Sequence, residues 1–316
     1  MHKNLEELYD KQFLKRFWEF VTERQDIYWR RFVAKQPPPW TEDTVFQEVF
    51  FANVYRELDK GTIYLLENVI NIPKPLSPEK EFFELLVYRI FNNQWTYEKL
   101  KEVRQLGDWS DWNGIAKFLH SYAAASTPFP VFTRAHMMTS IRYGGFPKKI
   151  DNISFMLNTH WKNLDSLYES YNNCEHMEQG FELVRSLMGY GSFLAYEIIT
   201  DCTYSPRLNH NLKFHEDAFV NPGPGCKRGI ELIVPKDVMQ ENRVNYVRVM
   251  EDLRWNQDYY FRKFNLEFKF IGNKSLTLRN IEHSLCEFSK YNRYLTTGKA
   301  RRLYSPKRIP NENRIC

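Results

Sequence analysis

Apolar side chains recur near the start of the chain at the spacing of a helix face. Leu14, Phe17, Trp18, Val21, Tyr28 and Phe32 follow one another at three-, four- and seven-residue steps, which predicts an amphipathic helix of about 25 residues. Gln36-Pro37-Pro38-Pro39 stops it, because proline has no amide donor and restricts the residue before it. Thr41 then reads as the N-cap of a helix in TEDTVFQEVFFANVYRELD, with Glu42 and Asp43 in the first turn, where the helix dipole favours acids. After a proline-rich loop, Ser77 opens KEFFELLVYRIFNN, and a further helix is predicted from Tyr97 to Val103. FTRAHMMTSIRY reads as helix and YGGFPKK as loop, followed by helices at 151–171 and 175–188. ELIVP and NLEFKFIGN alternate like short extended pieces. The class is mostly α.

Two helices meet at SLMGYGSFLAYEIITDCTY. The first is expected to end at Met188, and Ser192 to cap the second, with Gly189-Tyr190-Gly191 between them. A G-x-G turn joining two helices is the form of a helix-hairpin-helix. Glycine permits positive φ and lets backbone amides approach a phosphate closely, and the start of the second helix adds unpaired N–H groups. Gly189, Tyr190, Gly191 and Ser192 are therefore candidate DNA contacts. A plain capping turn uses the same glycines.

Charge changes the picture at one end. The whole chain carries +5, but from Lys290 onward eight cations face Glu312 alone, a balance of +7 that leaves −2 for the rest. A basic C-terminal segment suits a polyanion. Aromatic residues make up 16%, enough to supply base-stacking surfaces beyond the core, although Trp40 and Trp95 read as core. No run approaches the length of a membrane span, and MHKNLEELYDKQ lacks a signal peptide's apolar core, so a cytoplasmic protein is expected. The five cysteines have no paired spacing and read as reduced thiols. The eight histidines show no ligand spacing, so no metal site is expected.

Five stretches, in order, carry a resemblance: FWEFVTERQDIYWRRFVAKQPPPWTEDTVFQEVFFANVYRELDKGT, YRIFNNQWTYE, GYGSFLAYEIITD, NPGPGCKRGI and IEHSLCEFSKYNR. Together they resemble the helical family associated with 5-hydroxymethyluracil DNA kinases, over about residues 15 to 295. Its relatives include the amino acid:DNA transferases, similar to alpha-glutamyl/putrescinyl thymine pyrophosphorylases, in the DNA-glycosylase-like superfamily of phage thymidine hypermodification. The resemblance implies a helix-hairpin-helix, glycosylase-like catalytic domain over 1–295 with a basic tail over 296–316. It implies an enzyme of the infected bacterial cytoplasm that replaces the phosphate of 5-phosphomethyluracil in double-stranded DNA by an amino acid or amine, shielding viral DNA from restriction. The target nucleotide would be flipped out of the stack. No cofactor is required; a divalent ion is allowed.

The string IGNKSLT lacks the first glycine and the spacing of a P-loop, so the kinase step is assigned to a separate protein acting upstream. In glycosylases with this hairpin an essential aspartate follows the second helix. Asp217, 26 positions after Gly191 in HEDAFVNPGPG, resembles it, with Val220 completing an Asp-x-x-Val pattern at the start of a helix. The spacing is a few residues longer, which places an insertion in SPRLNHNLKF. Asp217 is the candidate base, Lys227 and Arg228 candidate phosphate contacts, and Asp201 a structural acid. Asn53, Arg56 and Asp59, on one expected helix face, and Arg89 and Asn92, on another, are candidate substrate contacts. A true DNA glycosylase and a non-catalytic DNA-binding partner of a kinase are the alternatives.

Overall fold

The computed structural model describes residues 5–125, 130–132, 143–209, 213–300 and 302–304. Helices dominate, and the described residues contain isolated bridges but no strand. In chain order the helices are α1 (Lys11–Tyr28), α2 (Thr44–Glu48), α3 (Lys60–Leu65), α4 (Pro78–Phe91), α5 (Gln94–Lys101), α6 (Trp112–Ala124), α7 (Lys149–Lys162), α8 (Leu164–Asn172), α9 (Met177–Ser186), α10 (Ser192–Thr203), α11 (Pro224–Ile233), α12 (Lys236–Glu241), α13 (Tyr246–Trp255), α14 (Gln257–Lys263) and α15 (Leu278–Thr297). None of them is long and apolar enough to cross a membrane. The chain forms two compact units: residues up to Asp59 with those from Val220 onward, and Lys60–Phe219.

The unit of Lys60–Phe219 is built on α4. Every residue from Glu81 to Phe91 is buried, as in a helix apolar all round. Its buried charges are all paired. Glu84 accepts both terminal nitrogens of Arg104 at 2.9 Å, the Gly107 amide at 2.7 Å and the Trp109 indole at 3.0 Å. Glu81 pairs with Arg207, and Arg89 pairs with Asp201. A charge can stay in such an interior only with partners of this kind.

The other unit is organised around α15. Thr277 and Asn280 form a capping box at its start, and Gly298 ends it in the left-handed conformation. Phe17 and Phe20 of α1 meet Phe288 at 5.5 and 5.8 Å between ring centroids. On another side α11 packs closely: a Cβ on Gly229 would lie 2.2 Å from the Leu285 carbonyl oxygen, and one on Gly225 2.3 Å from Cys286 Sγ. Those glycines, four apart in NPGPGCKRGI, bring α11 against the IEHSLCEFSKYNR helix. Cys174, Cys202, Cys226 and Cys286 are all free thiols. Burial, with Glu282 and Glu287 nearby, pushes Cys286 up to about 12.

The structure departs from the sequence pattern in several places. The helix expected from Thr41 to Asp59 is only α2, and Asp43 caps it, accepting from the amides of Val45 and Phe46 at 2.8 and 3.3 Å. The chain then turns extended at Val49, which bridges to Leu303, because Val49, Phe51, Val54 and Tyr55 are all buried and no single helix face could hide them. Glu231–Ile233 of ELIVP close α11, and NLEFKFIGN makes only the bridge Ile271–Lys274. Of FTRAHMMTSIRY, Thr133 to Arg142 lie outside the described residues.

Candidate functional site

The hairpin lies wholly in the unit of Lys60–Phe219. The first helix ends at Ser186, two residues before Met188, and Gly191 is the N-cap, so Ser192 is the first helical residue instead of the cap. The two glycines differ. Gly189 has φ +95° and a Cβ there would fall 1.9 Å from Met156 Sδ; both facts require glycine. Gly191 has φ −79° and ψ 175°, and nothing stands within 4 Å of a Cβ built on it. Neither its conformation nor its surroundings require glycine. Tyr190 is only 2% exposed, with its hydroxyl donating to the Leu86 carbonyl oxygen at 3.2 Å. What faces outward is the backbone of Gly191 and Ser192 together with Phe193, 56% exposed in the first turn of α10.

The His160 imidazole supports this turn. It tilts against the Tyr190 ring, and its Nε2 lies 2.8 Å from the Met188 carbonyl oxygen. Burial lowers its pKa against the opposing pull of that carbonyl. The unfolded chain therefore takes up this proton at higher pH than the folded one. Stability from this group is complete above the ordinary histidine value of 6.5 and is lost as pH falls from there toward the lowered folded value. Melting curves between about pH 7.5 and about pH 5 should show the parent losing stability across that window and His160→Gln losing less. Equal pH slopes would remove the coupling.

Behind the hairpin, α10 carries Asp201, fully buried, into a two-pronged pair with Arg89: Nε donates to Oδ2 at 2.5 Å and Nη2 to Oδ1 at 2.7 Å. Glu197 stands 3.8 Å from Arg89 Nη1. Asn92 ends α4 at φ 43° and accepts from Arg89 Nη1 at 3.3 Å. Arg89 thus holds α4 to α10, with Asn92 bonded to it from the end of α4, and Asn93 caps α5.

Asp217 lies on a turn, not at a helix start; α11 begins seven positions later, at Pro224. Its carboxylate is 11% exposed, with Oδ2 3.9 Å from His215 Nδ1, and its own amide donates to that nitrogen at 3.1 Å. Next to it, Glu216 accepts from the Tyr204 hydroxyl at 2.9 Å.

The unit organised around α15 holds a second polar assembly. Asn53, Arg56 and Asp59 lie on an extended segment and a short 3-10 turn instead of a helix face. Arg24 of α1 donates to Asn53 Oδ1 at 2.6 Å and to the Ala52 carbonyl oxygen at 2.8 Å. Asn53 donates to the Leu58 carbonyl oxygen at 2.7 Å, and its amide to Asp59 Oδ1 at 2.8 Å. Asp59 Oδ2 lies 3.5 Å from His283 Nε2. Burial pulls the His283 pKa down, but the Asp59 hydrogen bond and charge raise it overall. Lys227 and Arg228 are exposed on α11, with Lys227 over the Tyr246 ring at 5.3 Å. Among the described residues no three His, Cys, Asp or Glu side chains are grouped to hold a metal ion.

The family model described as the helical domain of 5-hmdU DNA kinase matches residues 11–300. The chain belongs to this family. A relative, the 5-hmdU DNA kinase of Bacillus phage SP10, is 27% identical over 290 residues, which cover 88% of this chain and 45% of the relative. The chain therefore spans less than half the length of that kinase. No solved structure matches. The family match takes in both polar assemblies, the hairpin and all five resembling stretches. Two side chains in the assembly around α15 escaped the reading of the sequence: Arg24, which joins Asn53 to α1, and His283, which meets Asp59. A signal existed for one of them. Arg24 and Arg31 lie seven residues apart on α1 and its terminal turn, hence on nearly the same face.

Proposed function

We propose that this chain acts in phage thymidine hypermodification as a transferase that replaces the phosphate of 5-phosphomethyluracil in DNA by an amino acid or amine. Its setting is the cytoplasm of the infected bacterium, downstream of a separate P-loop kinase. The observation that carries the reading is membership of the 5-hmdU DNA kinase helical-domain family across residues 11–300. In the proposed step the amine lone pair attacks the exocyclic methylene carbon on C5. A C–N bond forms, the C–O bond to phosphate breaks, and phosphate leaves with the bonding electrons. Asp217 accepts the amine proton as general base. DNA is held by the hairpin amides at Gly191 and Ser192, in the same unit as Asp217. Lys227 and Arg228 are kept as separate candidate phosphate contacts.

A second reading has its own support. The matching model describes a kinase's helical domain, and the chain spans 45% of the phage kinase. On that reading this protein presents modified DNA to a kinase and performs no transfer. Nucleoside mass spectrometry separates the two. The chain, 5-phosphomethyluracil DNA and a pool of amino acids should give an amine adduct and free phosphate. No adduct, with acceleration of a separately supplied kinase, would establish the second reading instead.

DNA holding is tested independently. Duplex affinity should fall steeply with salt as counterions are released. Gly191→Val should fold, because its backbone angles suit any residue and the space is open. It should nevertheless weaken duplex binding roughly tenfold or more, by blocking charge-assisted bonds from the turn amides. Unchanged affinity in the folded variant would reduce the hairpin to a turn.

A further inference from the structure

A pocket of about 400 Å³ opens in the unit organised around α15, between α1, the Pro38–Thr41 segment, α2 and the strap at Tyr304. Its walls divide chemically. One part is cationic: Arg24 and Arg31 both line it. Arg31 lies over the Trp40 ring at 4.7 Å and donates to the Tyr304 hydroxyl at 3.3 Å. The other part is apolar and aromatic, with Trp40, Phe46 and Phe50.

Arg24 is incompletely satisfied. Its Nε and Nη2 are used by Ala52, Phe51 and Asn53, but Nη1 is shielded from solvent and has no hydrogen-bond partner among the described residues. Burial pushes its pKa down to about 10, against the pull of Asp59 and Glu287, and the charge of Arg31 adds to the fall. Two guanidinium groups facing one cavity repel each other, and more strongly where water is scarce. An anion between them would relieve that repulsion and meet the planar donors these side chains offer to phosphate. The aromatic wall offers a stacking face beside the same anion. The volume falls in the range of small-molecule sites.

We infer that this pocket binds a nucleoside monophosphate unit, its phosphate held by Arg24 and Arg31 and its base laid against Trp40 and Phe50. The same chemistry is presented by a free mononucleotide and by a nucleotide turned out of a DNA strand.

The test is isothermal titration of the full chain with thymidine monophosphate, thymidine and inorganic phosphate. The monophosphate should bind roughly tenfold or more tightly than either fragment, since each fragment forfeits one wall. Arg31→Gln should weaken it roughly tenfold or more. Trp40→Leu should weaken the monophosphate several-fold more than inorganic phosphate, since the base loses its ring while phosphate loses only the ring that Arg31 lies over. Arg31 and Trp40 are partly exposed, so these variants should keep the parent's melting behaviour even if Arg24→Gln unfolds the chain. Phosphate binding as tight as the nucleotide, no binding at all, or nucleotide binding indifferent to both variants would overturn the inference. A single-stranded thymidylate oligomer that displaces the monophosphate identifies the strand as the source; one that does not leaves the free mononucleotide as the ligand.

Discussion

Asp217→Asn should lose roughly 100- to 10,000-fold of the rate of amine transfer, the usual contribution of a positioned general base, while binding duplex DNA as the parent does. Asparagine keeps the shape and hydrogen-bonding capacity of the side chain and removes only its ability to take a proton. The carboxylate is on a turn beside His215 and 11% exposed, so it is largely withdrawn from bulk water. The assay is conversion of 5-phosphomethyluracil in DNA to an amine adduct with release of phosphate, followed beside a measurement of DNA affinity. Because the bond from base to sugar is untouched, alkaline treatment should reveal no abasic sites; their appearance would mark a glycosylase. Full activity in the variant would move the base elsewhere, and the structure changes which acid comes next. Asp201 is engaged by both prongs of Arg89 and fully buried, so it has no access to an amine. Asp59, half-buried beside His283, becomes the alternative.

Some of this was legible in the sequence for a plain physical reason: a helix that buries one face leaves a 3.6-residue imprint. That imprint located α1, α4 and the pair α9 and α10, and Ser77 stands where it was expected, before α4. The imprint misled between Thr41 and Asp59, where aromatic residues are buried by an extended segment whose partner, Leu303, is distant in the chain. ELIVP misled because β-branched residues at the end of α11 are buried by tertiary packing, which overrides their strand preference. At the hairpin, the G-x-G pattern was visible, but the division of labour was not. Gly189 needs its conformation and Gly191 does not; that depends on Met156, a side chain no local pattern could place beside it. The Arg24 and Arg31 pocket was hidden for the same reason. Arginines on an amphipathic helix usually lie on its solvated face, and only the fold brings Trp40 and Tyr304 over these two.

Asp201→Ala should cost about 3–5 kcal/mol of stability, the penalty for leaving one member of a buried ion pair behind. For a chain of this size each kcal/mol moves the melting midpoint by about 2–4 °C, so the midpoint should fall by roughly 6–20 °C. The geometry places the effect at the upper end of what a single substitution does. The pair is two-pronged, both side chains are buried, and it ties α4 to α10 across the centre of its unit. Removing the carboxylate leaves the Arg89 guanidinium with Glu197 at 3.8 Å and Asn92 at 3.3 Å, neither of which replaces two short bonds. A double variant separates the worth of the pair from the penalty of breaking it. Arg89→Met with Asp201→Leu removes both charges, keeps most of the volume and should recover much of the lost stability. If Asp201→Ala melts within about 2 °C of the parent, the pair contributes little to the fold. If it folds well but abolishes amine transfer, Asp201 is engaged in the chemistry and its assignment as a structural acid is wrong. The expected pattern is the opposite one: a large loss of melting temperature and, below the lowered midpoint, a transfer rate close to that of the parent, because this carboxylate fastens two helices and never meets substrate.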